Sequence, residues 1–152
     1  MPILLSFVIG VIAGLRAMTA PAAAALAARL GGIAVASTPL AFMGYRWTPW
    51  VFGLLALAEL VTDKLPATPS RKVPVQFATR LVTGALAGAT FGASGHALVV
   101  GAVLGLAGAV VGTLGGAAAR SALAARFGRD LPAALLEDVV AVGGALLVAV
   151  AA

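Results

Sequence analysis

The chain has no cysteine and a single histidine, and only 10% of its 152 residues are charged. Without cysteine there can be no disulfide, no thiolate metal site and no cysteine nucleophile. His96 is the only imidazole and reads as a loop residue at the boundary opposite the acidic residues, so a histidine and carboxylate metal cluster has nothing to build on. Serine chemistry is no better provided for: Ser6, Ser37, Ser70, Ser94 and Ser121 include no Gly-x-Ser-x-Gly elbow. No Gly-x-x-x-x-Gly-Lys stretch is present to cradle a phosphate. The expectation is a protein that is not an enzyme and holds no metal and no cofactor.

What is abundant is apolar. Hydrophobic residues make up 62% of the chain and the mean hydropathy is +1.11, leaving too little polar surface for a soluble domain of this length. The class is an integral membrane protein in one domain, residues 1–152. A span needs about 20 apolar residues, so the material makes roughly five spans, between about four and six. The net charge of +5 does not imply nucleic acid, because the bases sit at the ends of apolar segments without exposed aromatics interleaved. Membrane lipids are the expected surroundings. The first apolar run is not preceded by a basic residue and the rest of the chain is just as apolar, so it reads as a retained span, not a signal peptide.

Pro2 to Leu15 is apolar but covers only about 20 Å of a hydrocarbon layer about 30 Å thick. Ala22 to Ala28 would supply the missing length as a second half-helix beyond Pro21, a residue that breaks the first helix by freeing the Ala17 carbonyl. Ile33 to Tyr45 suits a re-entrant or interfacial piece, and Tyr45, Arg46, Trp47 and Trp50 mark a membrane boundary. Val51 to Thr62 is the second span. Lys64 to Arg80, with Pro66, Pro69 and Pro74, is a basic Pro-rich loop on the cytoplasmic side by the positive-inside rule. It reads as a rigid connector beside anionic headgroups. Leu81 to Gly95, Leu98 to Ala119 and Leu131 to Ala152 are the remaining spans, with a basic cluster of Arg120, Arg126 and Arg129 between the last two.

Charged residues buried in such a bundle are expensive unless paired, and they mark candidate sites. Gly14 to Pro21 places Arg16 and Thr19 at the interrupted helix, as donors for its freed carbonyl. Glu59 and Glu137 are the carboxylates that lie below the headgroups, Asp63 and Asp138 join them as candidates, and Arg80 and Arg120 are further partners for bidentate guanidinium contacts. These residues would form either a polar site for a small ion or solute, or a structural ion-pair network. A second theme is glycine at four-residue spacing, Gly84, Gly88 and Gly92 on one span and Gly101, Gly105, Gly108, Gly112 and Gly116 on the next. Such stripes let backbones approach closely. They pack neighbouring spans, or they recruit other chains and make the protein a structural or assembly component; separately, so few spans need a second copy to enclose a pathway, and a homo-oligomer is the expected state. Ala25 to Gly31 echoes Ala122 to Gly128, a weak inverted repeat if the first span and the fourth run in opposite directions, as transporters often arrange.

Four stretches together carry a family resemblance: Gly-Leu-Arg-Ala-Met-Thr-Ala-Pro at 14–21, Glu-Leu-Val-Thr-Asp-Lys-Leu-Pro at 59–66, Thr-Pro-Ser-Arg at 68–71, and Gly-Arg-Asp-Leu-Pro-Ala-Ala-Leu-Leu-Glu-Asp at 128–138. Over essentially the whole chain the sequence resembles domain-of-unknown-function family 4126, small multi-pass membrane proteins. The resemblance implies that architecture and carries over no catalytic residue. The reading is therefore an all-α polytopic bundle of the inner membrane with a broken first helix, transporter-like or channel-like at the Arg16 site, with the glycine-stripe scaffold as its rival.

Overall fold

The computed structural model describes residues 1–152 and contains helices and no strands. Six α-helices follow in order: α1 (Pro2–Leu15), α2 (Thr19–Arg29), α3 (Thr48–Thr62), α4 (Pro74–Ala93), α5 (Leu98–Phe127) and α6 (Asp130–Val150). Proline opens α1, α3 and α4 within their first two positions, where its missing N–H would have no helical partner anyway. Gly128 closes α5 in the left-handed region at φ 67°, a conformation a Cβ would penalise.

Contacts along α6 show the path of the first two helices. Arg16 lies on Asp138, Ile12 beside Gly144, and Gly32 beside Ala152. So α1 runs antiparallel to α6 down to Arg16, and α2 then turns back and runs up alongside it. The chain alternates direction from helix to helix, which puts the turn at residues 16–18, the loop at 63–73 and the α5–α6 connection at one end, here called the polar end.

Several expectations change. The first helix is not one interrupted span; it is a helical hairpin, reversed at Arg16 and not at Pro21. Pro21 is the third residue of α2, inside the first turn, where a proline is tolerated. The loop stops at Val73, and Arg80 lies almost two turns into α4, because Pro74 starts a helix there instead of preventing one. Arg120 and Arg126 extend α5 to 30 residues and do not form a loop. Residues 33–45 form an irregular cap with one short 3-10 turn at Ala41–Gly44, which buries Ile33, Val35 and Met43. Two helices, α5 and α6, are long and apolar enough to cross a membrane; α1 and α3 are shorter apolar helices.

The core is built on glycine. α1, α4 and α5 are the most extensively packed trio. A Cβ at Gly105 would stand 2.1 Å from the Gly84 carbonyl oxygen, one at Gly101 2.4 Å from that of Gly88, and one at Gly112 2.1 Å from that of Val11. Backbones this close replace side-chain interdigitation with direct main-chain dispersion contact. Ser6 adds a hydrogen bond from Oγ to the Gly88 carbonyl at 2.9 Å. The stripes are thus consumed inside one chain. α1 and α5 run parallel, contrary to the span directions expected from the sequence. The Ala25–Gly31 and Ala122–Gly128 echoes still point opposite ways, because α2 has turned back. The two halves are not equivalent in packing, since α4 and α5 interlock along their length while α1 and α2 touch sparingly.

Candidate functional site

A reversal inside a bundle strands backbone groups at both of its helix ends, and here distant side chains satisfy them. Arg80 Nη1 donates to the carbonyls of Gly14 (3.0 Å) and Leu15 (2.8 Å) at the end of α1. The N–H groups of Ala17 and Met18 donate to the two oxygens of Glu59, each at 2.8 Å, just before α2. A cation on a helix C-terminus and an anion on a helix N-terminus are both favoured by the helix dipole. The two capping groups face each other, with Arg80 Nη2 3.7 Å from Glu59 Oε1.

Arg16, completely buried, sits at the turn in extended conformation and holds two carboxylates apart. Its Nη1 is 2.6 Å from Asp63 and its Nη2 2.5 Å from Asp138, while Nε donates to Asp138 at 2.8 Å; Glu137 is at 4.0 Å. Further bases complete the set. Arg71 reaches in from the loop to grip Glu137 with both guanidinium nitrogens, one of them at 2.7 Å. Lys64 pairs with Asp138 at 2.5 Å, and Arg120 bridges Asp63 (2.7 Å) and Asp130 (2.6 Å). All five acidic residues of the chain are gathered here, matched by Arg16, Lys64, Arg71, Arg80 and Arg120.

The structure therefore brings together Arg16, Glu59, Asp63, Glu137, Asp138, Arg80 and Arg120. Thr19 stands apart: it is buried, but its hydroxyl has no partner and it lines a groove between α2, α3 and α6, not the freed carbonyls. Three participants were not singled out from the sequence, Lys64, Arg71 and Asp130. Arg71 had a signal, its place in the Thr-Pro-Ser-Arg stretch, but the loop read as solvated. Lys72, its neighbour, is indeed exposed. His96 is an exposed loop residue with φ 54°. No cluster of three or more potential ligands is placed to hold a metal ion.

The residues that converge come from the four stretches 14–21, 59–66, 68–71 and 128–138, with Arg80 and Arg120 added from α4 and α5. A family model described as "Domain of unknown function (DUF4126)" matches residues 3–152. The chain belongs to the DUF4126 family. No curated protein and no solved structure matches it.

Two pockets flank the cluster in this DUF4126 chain. One of about 560 Å³ opens at the polar end and is lined by Asp63, Arg71, Arg120 and Asp130 with the loop. The other, about 290 Å³, lies at the hairpin turn against Ala17, Met18, Glu59, Gln76, Thr79 and Arg80.

Asp63, at the end of α3, reports on the network. Burial works to raise its carboxyl, but a hydrogen bond from Arg120 and the charge and hydrogen bond of Arg16 hold it below the ordinary 3.8. A carboxyl depressed in the folded state contributes stability that is fully present above its unfolded value and is lost as pH falls through the folded one. Thermal stability in detergent is therefore expected to be flat from neutral pH to about pH 5 and to drop below about pH 4. Asp63→Asn should flatten that acid limb and lower stability at neutral pH; an unchanged acid limb would show that Asp63 is not coupled to the guanidinium groups.

Proposed function

We propose that this chain is a multi-pass protein of the inner membrane that binds a small ion or solute at the hairpin turn and passes it between the two faces, as a small transporter or channel does. Membrane embedding is supported by where the apolar residues point. Only 33% of the apolar window of α5 and 28% of that of α6 is buried, and leucines and valines cover the outside of α3, α5 and α6. A water-soluble bundle would bury them. The polar end carries Lys64, Arg71, Lys72 and Arg129 in its connections and Arg126 in the last turn of α5, against Arg29 and Arg46 at the other, which favours a cytoplasmic polar end.

The observation that carries the solute reading is the plugged turn. Two helix ends meet inside the bundle, the geometry used in discontinuous transporter helices to hold charged groups, and the chain's own Glu59 and Arg80 occupy them beside a pocket. An incoming anion would compete with Glu59 for the Ala17 and Met18 N–H groups, and a cation would compete with Arg80 for the Gly14 and Leu15 carbonyls. α3 carries Glu59 and packs mainly on α2 and the 3-10 turn, so it is the helix best able to withdraw the plug. The test is flux into dye-loaded vesicles of purified protein under proton, sodium and acetate gradients. Wild type should conduct at least one of these, and Glu59→Gln should change that flux about tenfold or more, a change of about 1.4 kcal/mol in the barrier. No flux in wild type, or equal flux in folded Glu59→Gln, would end the proposal.

The rival scaffold role through glycine stripes loses the surface it needs, because those faces are occupied within the chain. A homo-oligomer would have to form on the outward apolar faces of α3, α5 and α6.

A further inference from the structure

A groove of about 370 Å³ runs between α2, α3 and α6, walled almost wholly by apolar side chains. At one end are Thr19 and Leu60, at the other Leu26 and Trp50. Three observations bear on its occupant. Thr19 is 6% exposed and its hydroxyl has no hydrogen-bond partner, although leaving a buried hydroxyl unpaired is costly and rare. Gly53 lines the groove from α3, and nothing lies within 4 Å of where its Cβ would be. That sets it apart from the packed glycines of α4 and α5, since here the missing side chain keeps a channel open. Finally, the wall from Leu60 to Trp50 is ten helical residues, about 15 Å, which is half of a hydrocarbon core about 30 Å thick.

We propose that this groove holds one acyl chain of a phospholipid from the leaflet nearest the polar end, with the ester carbonyl accepting a hydrogen bond from Thr19 Oγ1 and the tail running past Gly53 toward Trp50. The inference rests on the membrane placement argued above but not on the transport reading. The groove demands a ligand that is apolar over one leaflet's depth and polar at a single point next to the charged turn. An ester-linked acyl chain has that pattern, with its headgroup left at the level where Arg16 and its partners lie. A free fatty acid would bring a carboxylate to a turn whose bases are already paired with the chain's own acids, and the groove wall carries no cation to meet it.

The experiment uses the full chain in phosphatidylethanolamine and phosphatidylglycerol vesicles doped with a phospholipid that bears a diazirine in one acyl chain. After irradiation, adducts are mapped by peptide mass spectrometry. Adducts should concentrate on α2 and α3 groove residues over the outward face of α5, represented by Val103 and Leu106, by about fivefold or more. Gly53→Leu puts a side chain into the groove from a position where its Cβ meets no neighbour and should abolish that enrichment, while Gly115→Leu, whose Cβ is also in open space on α5, should leave it intact. Thr19→Val should weaken it and Thr19→Ser should restore it. Equal labelling of groove and outer faces, or enrichment that survives Gly53→Leu, would overturn the proposal, as would displacement by free oleate at equimolar ratio. Absence of adducts anywhere on the chain would instead refute the membrane placement, and flux measurements on Gly53→Leu separate the groove from the hairpin site.

Discussion

Arg16→Met is expected to be the most damaging single substitution in the chain, leaving little folded protein after detergent extraction. The side chain is fully buried and lies between Asp63 and Asp138, with Glu137 near. Removing one partner of a buried ion pair leaves the other charge uncompensated, at a cost of about 3–5 kcal/mol, a large share of the total stability of a small domain. Lys64 still holds Asp138 and Arg120 still holds Asp63, but neither can replace a group that touches both. Arg16→Lys should recover little, because a single ammonium has no planar fork to span two acids and also donate through a third nitrogen. The double substitution Arg16→Met with Asp138→Asn should be more stable than Arg16→Met alone, since it removes the acid left in excess and restores the match of acids to bases in the cluster. Thermal unfolding and size-exclusion profiles of the four proteins measure this. An Arg16→Met protein as stable as wild type would mean the cluster does not hold the turn.

Gly105→Ala should be nearly as harmful, although it adds only one carbon. Its Cβ would be 2.1 Å from the Gly84 carbonyl oxygen and 2.9 Å from the Gly88 Cα, and both are backbone that cannot rotate away. The helices must separate along α4, and α1 is drawn in as well because a Cβ on Gly10 would meet the Gly105 carbonyl at 2.2 Å. Overpacking of this kind costs about 1–3 kcal/mol where side chains can adjust, and more is expected where they cannot. Gly115→Ala is the control. It faces open space and should gain up to about 1 kcal/mol from helix propensity. If the two variants melt alike, the close approach of α4 and α5 is not what stabilises the trio.

Particular residues show how far sequence reading reached. Arg16 stood out as a lone base in an apolar run, and the acids stood out because there are so few of them; scarcity alone pointed to the residues that converge. A hydroxyl next to a break reads as a donor for it, but the direction of Thr19 depends on where α2 turns. A proline-flanked base such as Arg71 reads as loop, and only the packing of that loop against the bundle brings it to Glu137. Pro21 and Pro74 misled in the same way: proline's missing N–H is disruptive within a helix and harmless in a first turn, and which of the two applies depends on where the helix begins.

The amino-acid order by itself determined the helical class, the outward apolar surface, the small-residue faces and the shortage of charge that marks the polar end. These rest on composition and on periodicities a few residues long. Tertiary structure decided that the chain reverses at Arg16, that glycine faces are spent within one molecule, and that each acid finds its particular base. The reason is range. Arg16 and Asp138 are 122 positions apart, and no local preference sets the distance between two side chains whose helices have yet to be placed against each other.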